Sequence, residues 1–323
     1  MQEITLWNGR TVPRLGMGCW ALGGPLYAGE VPLSYGEVDD TASRRAIAVA
    51  LELGIRVFDT APNYGAGHSE LVLGEALAGR DDVLIFTKVG QSGVLETRQA
   101  NPPDASPTAI RASVEASRRR LRRDRLDLLQ LHLNDYPVER AAEVFDTCEA
   151  LRAEGIVSAY GWSTDDADRA AAYADREGFV AVQHDFNVFQ PAREVLDVAR
   201  RKGLVSLARL PLAMGLLTGK YRPGAGTGRN DVRASGVDWL VYFKDGEPAP
   251  EFVRKLAALR DLLTVGGRSL AQGALGWILA RSSHTVPLPG FKSEAQVRDN
   301  AGAVEKGPLP PGVMAEIDAV LGA

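Results

Sequence analysis

A (β/α)8 barrel of the TIM class is the fold this 323-residue sequence predicts, and three observations carry that expectation. Apolar, β-branched runs alternate with stretches of helical spacing through the chain, as strands do with helices in a barrel. An Asn8-Gly9 pair stands between two short apolar arms near the start, a strong hairpin signal. Finally, Asp59, Tyr64, Lys88 and His132 stand at or just beyond the ends of three apolar runs. Barrel enzymes gather their chemistry at the C-terminal ends of strands.

Each element has its own signal. The opening hairpin is expected to plug the bottom of the barrel, its second arm leading into a first strand at 15–18. Helical spacing over 40–53 precedes a β-branched strand at 55–58, and a helix follows at 69–78. A strand at 83–87 leads to a helix over 107–121, where Pro107 suits the first turn. The alternation continues with strand 126–131, helix 138–153, strand 156–161, helix 165–176, strand 180–183, helix 192–201 and strand 204–208. Two helical stretches, 251–263 and 270–280, precede the last strand at 285–288, and a helix over 293–301 closes the cycle. The stretches 22–38 and 214–250 are long and irregular, as lids and binding elements are, and both are expected on the catalytic face. A doubly wound sheet is disfavoured because GMGCWALGG places Ala21 where a dinucleotide turn needs its third glycine.

Composition bounds the rest. An apolar content of 45% suits a globular chain with a sizeable core. The net charge of −4 argues against nucleic acid as a partner. No apolar run approaches the roughly 20 residues of a membrane span, and the opening residues lack the basic region and apolar run of a secretory signal. Cys19 and Cys148 are too few for a disulfide framework or a cysteine-based zinc site. The expectation is a soluble, cytoplasmic protein without a metal, forming one domain over 1–323; nothing in the sequence specifies its oligomeric state. The basic run at 118–125 is read as a solvated helix end, where cations suit the macrodipole. His68 is read as a capping or surface residue.

The four residues at the strand ends suit carbonyl reduction. Hydride addition to a carbonyl leaves an alkoxide, so a proton donor must sit beside the oxygen. Tyr64 is that donor in this reading, and the Lys88 ammonium is expected to lower its pKa. Asp59 would fix Lys88 through a charge-assisted hydrogen bond, and His132 would orient the carbonyl oxygen.

The words FDTAPNYGAGHSE, FTKVG and LLQLH that hold these residues resemble the aldo-keto reductase family, whose tetrad is Asp, Tyr, Lys and His in that order. The resemblance runs from about residue 14 to 300. It implies hydride transfer between NADPH, with NADH as the alternative, and an aldehyde, ketone or sugar carbonyl. It further implies that Ser163, Thr164 and Gln183 hold the nicotinamide carboxamide, with Thr164 standing where the family usually has Asn. Arg209 occupies a position where a ring commonly stacks on the nicotinamide, and a guanidinium plane can stack likewise. By the same resemblance Leu212, Gly215, Leu217 and Lys220 approach the pyrophosphate. Gly290, Phe291, Lys292, Ser293, Gln296 and Asn300 form the adenosine-phosphate site, and Trp20 walls the substrate pocket. Glu70 and Gly74 are read as part of a helix that buttresses Tyr64. Three rival functions remain: an NAD-dependent sugar or alcohol dehydrogenase, a redox-sensing regulatory subunit that binds cofactor with little turnover, and a barrel such as an isomerase that binds no dinucleotide.

Overall fold

The computed structural model describes residues 2–224 and 226–322. Eight parallel strands form its centre: β1 (Met17–Gly18), β2 (Val57–Asp59), β3 (Leu84–Val89), β4 (Leu128–Leu131), β5 (Tyr160–Ser163), β6 (Phe179–Asp185), β7 (Val205–Arg209) and β8 (Thr285–Pro287). Neighbours in sequence are neighbours in the sheet. The ring closes where the amides of Gly16 and Gly18 donate to the carbonyls of Pro287 and Pro289, at 2.9 and 3.0 Å. Helices α1 (Asp40–Glu52), α2 (His68–Ala76), α3 (Pro107–Leu121), α4 (Val138–Ala153), α5 (Ala167–Ala172) and α6 (Arg193–Lys202) follow the first six strands. After β7 come α7 (Pro250–Leu263) and α8 (Leu270–Arg281), and after β8 come α9 (Glu294–Lys306) and α10 (Pro311–Leu321). No described helix is long and apolar enough to cross a membrane.

The period-2 alternation of strand side chains sorts the core into two layers. Val57, Leu84, Phe86, Leu128, Ala181, Val205 and Leu207 point into the barrel and pack together. Their odd-parity neighbours Phe58, Ile85, Leu129, Val182 and Ala208 belong to the outer core with the helices. Leu6 and Val12 of the opening hairpin join the inner cluster, and the Trp7 ring lies 5.7 Å from Phe86. The hairpin therefore plugs the barrel, as its sequence predicts.

Some boundaries differ from the sequence-based expectation. The fifth strand lies at Tyr160–Ser163 rather than 156–161, with a register shift at Tyr160/Gly161. Val157 does pair in parallel with Leu126, but only as an isolated bridge, and the continuous ladder with β4 begins at Tyr160. Helix α5 starts later than 165 because Asp166 takes the N-cap, its carboxylate accepting from the Arg169 amide, and it ends at Ala172 rather than 176. Helix α10 was not anticipated at all. In the loop after β3, Gly93–Val94 and Gln99–Ala100 pair with each other, and Gln99 then pairs with Tyr27–Ala28 of the first long loop, which itself pairs with Val31–Pro32.

Candidate active site

Barrel parity builds the site. Asp59, Lys88, Gln130, Gln183 and Arg209 share the inward face of their strands with the apolar residues below, so they form a polar layer at the C-terminal mouth. Asp59 is the centre of that layer. One carboxylate oxygen accepts from the Lys88 Nζ at 2.6 Å. The other accepts from Gln183 Nε2 at 2.8 Å and Gln130 Nε2 at 3.1 Å. Lys88 Nζ also donates to the Thr60 carbonyl at 2.8 Å and to Tyr64 Oη at 3.3 Å.

Tyr64 reaches this ammonium because the chain turns back immediately after β2. The Tyr64 amide donates to Ala61 O, and Gly65 then takes φ +60°. A Cβ on Gly65 would lie 1.6 Å from the Gly23 carbonyl oxygen, so the first long loop and the Tyr64 loop touch backbone to backbone. Behind them Glu70, wholly buried, accepts from Thr87 Oγ1 at 2.6 Å and Arg120 Nε at 2.7 Å. Gly74 lets α2 approach α3, since a Cβ there would meet the Arg120 carbonyl at 2.0 Å. Glu70 thus ties α2 to the strand that carries Lys88, and Gly74 seats α2 against α3.

The protonation states follow from burial and charge. Burial raises the Tyr64 pKa, and the Lys88 ammonium opposes this without overcoming it. The expected lowering by Lys88 is present as a contribution, but the net shift is upward and the phenol stays protonated at neutral pH. Burial works against the Lys88 ammonium, yet Asp59 and Tyr64 outweigh it and hold its pKa above the usual value. Burial, then Lys88 and Arg209, push His132 well below the ordinary histidine range, so its imidazole is neutral. Its ring stands edge-on to Tyr64, centroids 6.0 Å apart.

A cavity of about 370 Å³ opens above this layer. Asp59, Tyr64, Trp20, Gln183 and Arg209 line it, together with Leu212, Gly215 and Lys220 from the stretch after β7. Gly290, Phe291, Lys292, Gln296 and Asn300 complete the wall after β8. Lys88, His132, Ser163, Thr164, Leu217 and Ser293 stand outside that lining. Ser163 Oγ accepts from Arg209 Nη1 at 2.8 Å, and the Thr164 hydroxyl donates to Asn134 O at 2.9 Å. Ser293 caps α9. Arg209 is further held by Asp185 at 2.7 Å and by Asp165, which fixes its guanidinium at the cavity wall.

Both long loops reach the cavity, as expected. Tyr35 and Arg233, neither assigned a cofactor or substrate role from sequence, line it. The Arg233 guanidinium lies over the rings of Tyr35 and Tyr221 at 4.9 and 4.7 Å and pairs with Asp231. The Lys292 ammonium donates to the carbonyls of Tyr35 and Glu37 at 2.9 and 3.3 Å. Burial pushes the pKa values of Lys220 and Lys292 down, and Arg233 adds to this. Above Tyr64 the Trp20 ring lies 6.1 Å from the phenol, 4.7 Å from Tyr35 and 6.2 Å from Trp239. Gln130 was also passed over, although an amide inside the apolar run LDLLQLH was a visible signal. Arg233 had no such signal, because its place depends on how a long loop folds. His68 bonds Asp40 and the Gly23 carbonyl, each at 3.1 Å, and belongs to the loop packing.

The arrangement can hold an anionic, planar ligand beside a buried phenol and ammonium. A sequence profile described as the Aldo/keto reductase family matches residues 14–321. The NADH-specific methylglyoxal reductase of Escherichia coli strain K12 is 30% identical over 311 residues, covering 91% of this chain and 90% of its own. Aldo-keto reductase YhdN of Bacillus subtilis strain 168 is 30% identical, covering 90% of this chain and 84% of its own. Among solved structures, the glycerol dehydrogenase AKR11B4 from Gluconobacter oxydans has a TM-score of 0.82 at 27% identity, covering 99% of this chain and 95% of that one. The holo form of aldo-keto reductase AKR11C1 from Bacillus halodurans gives 0.77 at 27% identity, with 99% and 96% covered.

Proposed function

The chain belongs to the aldo/keto reductase family and is an NAD(P)-dependent oxidoreductase, and from that premise we propose that it reduces a small aldehyde or ketone with Tyr64 as the proton donor. One observation carries the proposal: the Lys88 ammonium bridges Asp59 at 2.6 Å and Tyr64 at 3.3 Å on the cavity floor. The nicotinamide cofactor supplies the hydride when bound. Tyr64 holds the proton that the nascent alkoxide takes, and Lys88 stabilises the phenolate left behind. Asp59, whose carboxylate accepts from three donors, keeps that ammonium in place. His132, neutral, orients the carbonyl oxygen by a hydrogen bond. In oxidation Tyr64 acts as the base.

The residues present fit a dinucleotide. Arg209 offers a flat guanidinium, Lys220, Arg233 and Lys292 offer positive charge for phosphates, and the buried Asn300 Nδ2 has no partner among the described residues. Lys292 supports NADPH, since its ammonium has three N–H groups and only two carbonyl partners. Asp299, on the same cavity wall, supports the alternative, NADH, because a carboxylate repels the additional phosphate. Dissociation constants for both cofactors decide between them. NADPH binding the native protein tighter than NADH upholds the first reading, and an Asp299→Asn variant that gains affinity for NADPH alone upholds the second.

Trp20 packed over Tyr64, with Tyr35 and Trp239 against Trp20, favours a small substrate, and two of the similar proteins are named for three-carbon compounds, methylglyoxal and glycerol. The buried, free cysteines suit a reducing, cytoplasmic setting. The test is consumption of reduced nicotinamide, followed by absorbance, with a panel of small aldehydes, ketones and sugars. Turnover that disappears in Tyr64→Phe, while cofactor still binds, supports the reading; a Tyr64→Phe enzyme that keeps most of its activity overturns it.

A further inference from the structure

We infer that Gln91 is a positioning residue, an amide bridge that sets Tyr64 and His132 against each other; the inference rests on the catalytic reading above. Gln91 lies two residues beyond the end of β3, and Gly90 turns the chain there with φ +100°. A side chain on Gly90 would press on Leu133 at 3.0 Å, so only glycine allows this turn beside the β4 loop. From that turn the Gln91 side chain reaches in two directions. Its Nε2 donates to the His132 carbonyl at 2.8 Å, and its Oε1 accepts from Asn63 Nδ2 at 2.8 Å.

Hydrogen-bond chemistry fixes the orientation of both amides. A backbone carbonyl only accepts, so the NH2 of Gln91 must face His132 and its oxygen must face Asn63. Asn63 immediately precedes Tyr64, and its Oδ1 is buried with no partner among the described residues. The bond to Gln91 is therefore the tie that holds the Asn63 side chain. His132 is held on its other side by its own amide, which donates to Val89 O at 2.8 Å. Three successive βα loops are joined in this way: the one carrying Tyr64, the one carrying Gln91, and the one that begins with His132. Lys88 fixes the Tyr64 hydroxyl, but no hydrogen bond links the Tyr64 and His132 side chains to each other directly. The bridge supplies that relation through the backbone.

The test uses Gln91→Met, which keeps the volume of the side chain and removes both bonds, and Asn63→Ala, which removes the Tyr64 arm alone. Steady-state kinetics, cofactor dissociation constants by tryptophan fluorescence and thermal midpoints are measured for each variant, for the pair, and for Tyr64→Phe. The expected result for Gln91→Met is a kcat lowered about tenfold, since misplacement of catalytic groups by an ångström or less is felt at that scale. Cofactor affinity and KM should stay within about twofold, because neither Asn63 nor Gln91 lines the cofactor cavity. Adding Asn63→Ala to Gln91→Met should lower kcat no further, since one bridge is broken only once. A kcat within twofold of native for Gln91→Met overturns the inference, as do additive losses in the pair, or a fall in kcat matched by a fall in cofactor affinity or thermal midpoint. If Tyr64→Phe itself keeps turnover, the catalytic reading has failed and the bridge loses its purpose. If Tyr64→Phe is inactive and Gln91→Met is not, the inference alone has failed.

Discussion

Lys88 is wholly enclosed, and nearly everything about the site follows from how its charge is tolerated. Taking an ammonium out of water is costly unless a counter-charge and further acceptors receive it. Asp59, the Thr60 carbonyl and the Tyr64 hydroxyl take its three N–H groups, so each N–H has a partner. Removing one ion of such a pair leaves the other buried alone. Lys88→Met should therefore lose stability by about 3–5 kcal/mol as well as turnover. Adding Asp59→Asn should restore much of the stability and none of the turnover. Urea unfolding of the single and double variants checks this, and an undiminished midpoint for Lys88→Met would sink the argument. The four residues were legible in the sequence because each ends or follows an apolar run. Their relation to Gln183 was not. That amide, read as a cofactor contact, lines the cavity and also donates its N–H to Asp59, a cross-barrel contact that only closure of the sheet creates.

At the scale of elements, period decided what could be read. Strands buried on both sides gave continuous apolar runs, and helices gave 3.6-residue spacing, so the alternation and the plug hairpin were visible. Boundaries set by tertiary pairing were not, as the shift of β5 to Tyr160 shows. The small sheet joining Tyr27–Ala28 to the loop after β3 was equally hidden, because two-residue strands have no period to detect. The loop joining β2 to α2 is tightly constrained. Gly65 sits at positive φ, against Gly23, with no room for a side chain. Gly65→Ala should lose activity more than 10-fold, an order-of-magnitude expectation from displacement of Tyr64, and should lower the thermal midpoint. Gly79→Ala offers the comparison: it has the same sign of φ but open space around it, so its cost should be limited to backbone strain and its activity retained. Equal activity of the two variants would show that the contact with Gly23 does not position Tyr64.

Across the whole molecule, folding buries histidines in their neutral form, and this links stability to pH. His184 on β6 is fully buried, its Nε2 2.8 Å from Ser206 Oγ. Burial lowers its pKa from 6.5 to about 4, with Asp165 opposing. His132 is displaced in the same direction. Between pH 6.5 and 4 the unfolded chain binds a proton at His184 that the folded chain refuses, so stability falls as pH drops through that window and is fully present above it. For His184 alone the loss between pH 7 and pH 5 is about 2 kcal/mol, and His132 adds to it. Urea midpoints at the two pH values should differ accordingly, in a range where most carboxylates are still ionised. The variant His184→Asn removes one of the two contributions, so its midpoint should change less with pH even though its stability at pH 7 is lower. If native and variant showed the same dependence, His184 would be titrating alike in both states, and burial on the outward face of β6 would not control its charge.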